Sequence, residues 1–416
     1  MNTVVSRPAD ALRRLPPYVF AELDRLKASA RARGLSLTDL GIGSSDLPIA
    51  RGVLDALNET VRDRATHGYP PFRGAPRFLS AIEGFMRSRF GVEIDAMPQA
   101  IAISGAKEGI AQMVMAVCGP GDVALIPEIY YPVYARSAWL AGADVKWIPM
   151  RAKDGFVVDF DAVPEGDVRA ARLMIVNYPN NPTSARVDRQ FYERAVAFAR
   201  RYNILLISDL AYSEFSLEVQ PAPSALEADQ DCETTIEFHS CSKSFNMAGL
   251  RIGFAVGNLS AVEALAAYRT NVGYGTPTAL QHAAAYALDH CKELIAPTMR
   301  EYASRREAML ASFARAGWSI SAPSGSMYLW LPVPAGLDDW VWTKTLLNRD
   351  GIVVTPGLAF GEAGRGFFRV SLVRDAETLG RAAYTIAMRR EEVICSETRQ
   401  KVSRFAICAS GALSKQ

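Results

Sequence analysis

The chain has 416 residues, 49% of them apolar, with 46 lysines and arginines against 44 aspartates and glutamates, a formal net charge of +2. The length points to two domains, and the near-neutral balance leaves no electrostatic footprint for nucleic acid or an acidic membrane surface. Six cysteines (Cys118, Cys232, Cys241, Cys291, Cys395, Cys408) without a C-x-x-C pair, and four histidines without H-E-x-x-H, argue against a disulfide framework or a metal site.

Residues 1–33 are polar, arginine-rich and free of the continuous apolar run of a secretory signal. No stretch reaches the roughly 20 apolar residues that cross a bilayer, so a cytoplasmic protein is expected. From Ala100 the chain alternates β-rich apolar runs with helix-patterned segments. Ala100–Ser104 precedes a helix over Glu108–Cys118, and Val123–Ile126 precedes one over Tyr134–Ala141. Leu173–Asn177 leads through a Pro/Asn turn to a helix around Gln190–Arg201, and Ile204–Ser208, Thr235–Phe238 and Ile252–Val256 complete the series. Continuous apolar strands separated by amphipathic helices predict an α/β domain whose mostly parallel sheet is covered on both faces.

Beyond Val256 the pattern turns mainly helical, through Ala279–His290 and the long stretch Lys292–Ala316. Strands at Met327–Leu331, Gly351–Val354 and Phe367–Leu372 and a helix near Ala376–Arg389 predict a smaller α+β domain. The expected division is 43–295 for the large domain, 1–42 with 296–391 for the small one, and a disordered tail over 392–416.

The strongest chemical signal is Ser240-Cys241-Ser242-Lys243-Ser244-Phe245, with Arg251 eight residues after the lysine. A lysine just past a strand, among small hydroxyl residues, suits an imine to an aldehyde cofactor, while Ser240, Ser242 and Arg251 suit a phosphate. Asp209 closes the apolar run Ile204–Ile207, so its carboxylate belongs at the strand end where open α/β sheets bind ligands. Gly105-Ala106-Lys107 joins a strand to a helix, and amides at a helix start form a phosphate site. Arg369 is a charge inside the apolar run Phe367–Leu372, costly unless paired. Gly41–Gly43 and Gly361–Gly366 lack the context of a dinucleotide-binding loop. His239 reads as a packed strand residue.

With LPPYVF, HGYPPFRG, ISGAKEGI, NYPNNPTS, SDLAYSEF, SKSFNMAGLRIGF and FFRVSLV in this order, the chain resembles the class I/II aminotransferases from about Leu15 to Arg390. The resemblance is to the fold-type I enzymes of the alanine–glutamate and LL-diaminopimelate branch. It implies pyridoxal 5′-phosphate (PLP) bound to Lys243, Asp209 paired with the pyridine nitrogen, and Asn181 and Tyr212 donating to the phenolate oxygen. It implies further that Gly105, Ala106, Lys107, Ser240, Ser242 and Arg251 hold the phosphate and Tyr131 stacks on the ring. Arg369 would clamp the substrate carboxylate, Gly43 would close over the substrate, and Tyr69 and Tyr274 would reach the neighbouring subunit's site. A homodimer with shared active sites is therefore expected. Ser184 stands where most relatives carry glycine.

The implied reaction is transamination between an L-amino acid and a 2-oxo acid, with Lys243 as anchor and proton carrier. Thr270–Tyr274 contains no arginine, although Arg269 is adjacent, which favours an alanine-like donor; a diaminopimelate-like donor stays open, as does the loop Gly43-Ser44-Ser45-Asp46. A lyase, cyclase or oxidase on the same scaffold is the alternative. A PLP-dependent DNA-binding regulator would need a further domain.

Overall fold

The computed structural model describes residues 6–217, 221–323 and 325–412, with side chains described as far as residue 395. Its strands, in chain order, are β1 (Thr38–Asp39), β2 (Ala100–Ile103), β3 (Val123–Pro127), β4 (Asp144–Ile148), β5 (Ala171–Asn177) and β6 (Leu205–Asp209). They continue with β7 (Thr235–Ser240), β8 (Gly253–Gly257), β9 (Tyr328–Pro332), β10 (Ile352–Val353), β11 (Thr355–Pro356) and β12 (Phe367–Ser371).

Seven strands form the main sheet in the order β2-β8-β7-β6-β5-β3-β4. Pairing is parallel from β7 across to β4, and only β8 runs against both its neighbours. The continuous apolar runs have the expected cause: successive side chains of β5 enter opposite cores. Leu173 and Ile175 pack with Ile126, Ile207 and Phe238 on one face, while Met174 and Val176 pack with Phe191 and Tyr192 on the other. Helices Ala106–Val117 and Leu259–Val272 cover the first face, and Arg189–Tyr202 the second.

The register brings the chemistry to one edge. Asn177 of β5 pairs with Asp209 of β6, and Asp209 with Phe238 of β7. The carboxyl ends of these three strands therefore lie side by side, and the turns that follow them carry Asn181, Tyr212 and Lys243.

A second, antiparallel sheet has the order β11-β12-β9. Its core joins Leu329, Leu331, Phe368 and Val370 to Phe313, Trp342 and Leu379 of the surrounding helices. The N-terminal segment belongs beside it: β1 pairs in parallel with β10, and Leu23 and Ala30 of helix Val19–Ala32 pack on Leu347 and Val353.

The last helix runs unbroken over Ala376–Ala412, past the tail boundary expected at residue 392. Between Gly380 and Gly411 it contains neither glycine nor proline. With no breaker, each added residue completes a backbone hydrogen bond for little entropy. Residues 413–416 of the expected tail, and the Cys408 side chain, lie outside the described residues.

Candidate active site

Asp209 is buried at the end of β6. Its Oδ2 accepts a hydrogen bond from the Tyr134 hydroxyl at 2.6 Å, its Oδ1 one from the Ala211 amide at 3.2 Å, and its carbonyl one from Asn177 Nδ2 at 2.7 Å. Burial pushes the carboxyl up to about 6, against the pull of Tyr134, the Ala211 amide and the charge of His239. A cation placed beside such a carboxylate would restore its ionised form.

Lys243 rises from the short helix Cys241–Ser244 that follows β7. Its Nζ donates to the Gly43 carbonyl. Burial holds the ammonium below its ordinary range; Tyr328 opposes this, and Arg369 and Arg251 add to it. An amine so poised is closer to the neutral, nucleophilic form. Gly43 is needed where it stands, since a Cβ there would collide with the Tyr328 hydroxyl.

The opposite end of the cavity suits a phosphate. Gly105, at φ +95°, caps helix Ala106–Val117, and a Cβ on it would lie 2.6 Å from Arg251 Nη2. Arg251 donates to the Ala248 carbonyl at 3.0 Å and the Ser104 carbonyl at 3.1 Å, with the Ser242 hydroxyl at 3.5 Å. Ser240 caps the lysine helix by accepting from the Ser242 amide at 3.2 Å. Lys107, exposed, lies 3.5 Å from the Tyr18 hydroxyl. Helix-start amides, a guanidinium and hydroxyls make a strong anion cradle.

Arg369, on β12, is fully enclosed. Its Nη1 donates to Asn181 Oδ1 at 2.7 Å and its Nη2 to the Gly41 carbonyl at 2.6 Å, and the guanidinium lies over the Tyr328 ring at 4.2 Å. Its Nε is buried without a hydrogen-bond partner. Lys243, Asp209, Tyr212, Arg251 and Arg369 line a single cavity of about 330 Å³, whose lining does not include Gly105.

The sequence model of the Aminotransferase class I and II family matches residues 36–386. The LL-diaminopimelate aminotransferase of Natranaerobius thermophilus is 38% identical over 364 residues, 88% of this chain and 94% of that protein. LL-diaminopimelate aminotransferase 2 of Nostoc is 39% identical, over 90% of this chain and 96% of that protein. This chain belongs to the class I and II aminotransferases. Among solved structures, substrate-bound BacF from Bacillus subtilis superposes with a TM-score of 0.89 at 33% identity, covering 92% of this chain and 98% of that one. A probable N-succinyldiaminopimelate aminotransferase from Thermus thermophilus gives 0.84 at 36% identity, covering 89% and 99%. The enzyme is thus a PLP-dependent aminotransferase of fold type I.

Within the aminotransferase, Tyr131, Tyr212, Asn181, Ser240, Ser242, Ala106 and Lys107 all line the Lys243 cavity. Tyr69 and Tyr274 do not. They stack on each other with centroids 4.2 Å apart and are 79% and 60% exposed. Arg269 is buried, donates to Gln112 Oε1 at 2.7 Å and is not among the residues lining the cavity. His239 is packed as expected, stacked on Phe254 and bonded to Glu237 at 2.9 Å. Loop residues Ser45 and Asp46 are tied down: Tyr302 donates to Ser45 at 3.0 Å, and Arg305 clasps the Asp46 carboxylate at 2.6 and 3.1 Å. Among the described residues, no cluster of potential metal ligands occurs and no helix is long and apolar enough to cross a membrane.

Among the lining residues that the sequence reading did not assign to the site are Tyr134 beneath Asp209, Tyr328 against Tyr212, and Tyr18 and Phe20 of the N-terminal segment. Tyr134 and Tyr328 are buried tyrosines, a class whose hydroxyl needs a partner. That rule flags them only once burial is known. Tyr18 lies inside the LPPYVF stretch, which carries the one usable signal.

Proposed function

We propose that this aminotransferase moves an α-amino group between an L-amino acid, alanine- or diaminopimelate-like, and 2-oxoglutarate or pyruvate, by a ping-pong pair of half-reactions. The observation that carries this reading is the single cavity in which the Lys243 amine and the Arg369 guanidinium face one another's ligand space with the buried Asp209 behind.

The residues present fit PLP. Asp209 would pair with its ring nitrogen, Tyr212 and Asn181 would meet its ring oxygen, and Tyr131 would flank the ring. Gly105, Ala106, Lys107, Ser240, Ser242 and Arg251 would hold its phosphate. When bound, the cofactor supplies an aldehyde carbon for the amino group and a ring that withdraws electrons from the substrate Cα. Arg369 binds the substrate α-carboxylate, its guanidinium lining the cavity with both Nη atoms already held by Asn181 and Gly41. Lys243 takes the proton from the substrate Cα and holds it for return, a task suited to an amine whose ammonium burial destabilises. Gly43 admits the substrate close to the backbone. In this reading residues 43–295 form the cofactor domain, and 1–42 with 296–391 the small domain that supplies Arg369.

Substrate choice rests on two supports. The diaminopimelate relatives favour a dicarboxylate with two amino groups. Against that, the chain's own Arg269 is buried and engaged, which favours a neutral side chain. The same reading assembles two chains, the exposed Tyr69 and Tyr274 reaching the partner's cavity.

The test is the absorbance spectrum of the holoenzyme as single amino acids are added without oxo acid. Conversion of bound PLP to the pyridoxamine form, reversed by pyruvate or 2-oxoglutarate, is expected, and the donor that converts it fastest is the substrate. Release of ammonia without reversal would overturn transamination.

A further inference from the structure

Besides Arg251 in the cavity wall, two buried serines near the cavity hold a left-handed backbone. Ser184 has φ +61° and Ser326 has φ +54°, and both are buried. L-residues adopt this region at a cost and keep it when the surroundings over-determine it. Here the side chains supply the reason. The two hydroxyls lie 2.6 Å apart, and Ser184 Oγ donates to the Tyr328 carbonyl at 2.7 Å.

The bond joins distant parts of the chain. Ser184 closes the turn after β5, its amide donating to the Asn180 carbonyl at 3.0 Å. Ser326 enters β9, its amide donating to the Phe215 carbonyl at 3.2 Å. The two segments approach so closely that a Cβ on Gly325 would lie 2.7 Å from Pro179 Cβ. Tyr328 follows directly. Its hydroxyl meets the Tyr212 hydroxyl at 2.7 Å, and its ring lies under the Arg369 guanidinium.

We propose that Ser184 is a positioning residue for the reaction, its hydroxyl acting with Ser326 to seat Tyr328 and, through it, Tyr212 and Arg369. This rests on the PLP and substrate roles assigned above to those two residues. A plain turn role predicts the opposite response to one substitution. Glycine accepts the left-handed conformation without strain but carries no hydroxyl.

Ser184→Gly therefore separates the two accounts. As a positioning residue, the variant keeps or raises the thermal midpoint yet loses about tenfold in kcat/KM for the amino donor, since misplaced groups cost rate more than binding. It also raises the pH midpoint of the bound cofactor's absorbance change, because Tyr212, the donor to the ring oxygen, is no longer held in place. That midpoint is read on holoenzyme without turnover; the titratable and charged groups acting on the Tyr212 hydroxyl are Tyr328, Arg369, Tyr131 and Tyr134, and Lys243 lines the same cavity. Ser326→Gly is expected to behave alike, and the double variant to lose no more than either single one. A higher thermal midpoint with unchanged kinetics and an unchanged absorbance midpoint would overturn the proposal. Failure of the wild-type holoenzyme to transfer an amino group would instead overturn the functional reading, and the absorbance comparison would still decide the role of Ser184.

Discussion

Two groups of tyrosines in this aminotransferase have opposite fates. Tyr134, Tyr212 and Tyr328 are buried, and each hydroxyl is spoken for: Tyr134 by Asp209, Tyr212 and Tyr328 by one another. Tyr69 and Tyr274, with Phe72, form a stacked aromatic patch in the open. A single chain completes the first group and leaves the second uncovered. The difference separates what one subunit builds, the ring and carboxylate end of the site, from what we propose a second subunit supplies.

The largest effects belong to the buried group's immediate neighbours. Lys243→Ala is expected to lower kcat by about 10⁴-fold, the upper range for a general acid–base. Asp209 and Arg251 should still retain cofactor, detectable by absorbance after gel filtration. Arg369→Lys comes next. A lysine cannot serve both Asn181 Oδ1 and the Gly41 carbonyl while presenting a planar fork, so kcat/KM for every amino acid should fall by roughly 100-fold. Steady-state kinetics measure this, and an unchanged cofactor spectrum would confirm that the loss is at the substrate.

Asp209 offers a pH test of the enclosed region. Its carboxyl titrates near 6 when folded and near the ordinary 3.8 when unfolded, so between these values the folded protein binds more protons. Stability of the cofactor-free protein therefore falls as pH rises from about 4 to about 6, by about 3 kcal/mol from this group. Denaturant titrations of wild type and Asp209→Asn at pH 4.5 and 7 should show that the variant loses this decline. Tyr134→Phe should displace the titration upward by removing the 2.6 Å donor, and lower kcat about tenfold. An undisplaced profile would mean that the Tyr134 hydroxyl does not govern the carboxylate.

How far the sequence foretold this depends on how local each cause is. The parallel strands were readable because burial on both faces leaves an unbroken apolar run, as in Leu173–Val176. Asp209 and Arg369 were readable as charges where apolar strands should carry none. Tyr328 was not, since its role arises from Ser184, Tyr212 and Gly43, residues 144, 116 and 285 positions earlier. The β1–β10 pair is two residues long and entirely non-local, and no periodicity announces it. Over 392–412 polar composition and local propensity point different ways, since the stretch up to Gly411 has no breaker and the last helix runs to Ala412.

The smallest expected effect tests the open half of the comparison. Tyr69→Ala removes one ring from an exposed stack, so the stability of an isolated chain should change by no more than about 0.5 kcal/mol, as for most surface positions. If the patch is the partner's share of the site, that modest deletion acts elsewhere. It should raise the dimer dissociation constant by about tenfold, the scale of one or two aromatic contacts, and loosen PLP to a similar degree. Sedimentation velocity across a concentration series, with PLP affinity read on the same samples, measures both. A wild-type protein that stays monomeric at micromolar concentration would break the comparison, leaving Tyr69 and Tyr274 as surface residues of a site that one chain completes alone.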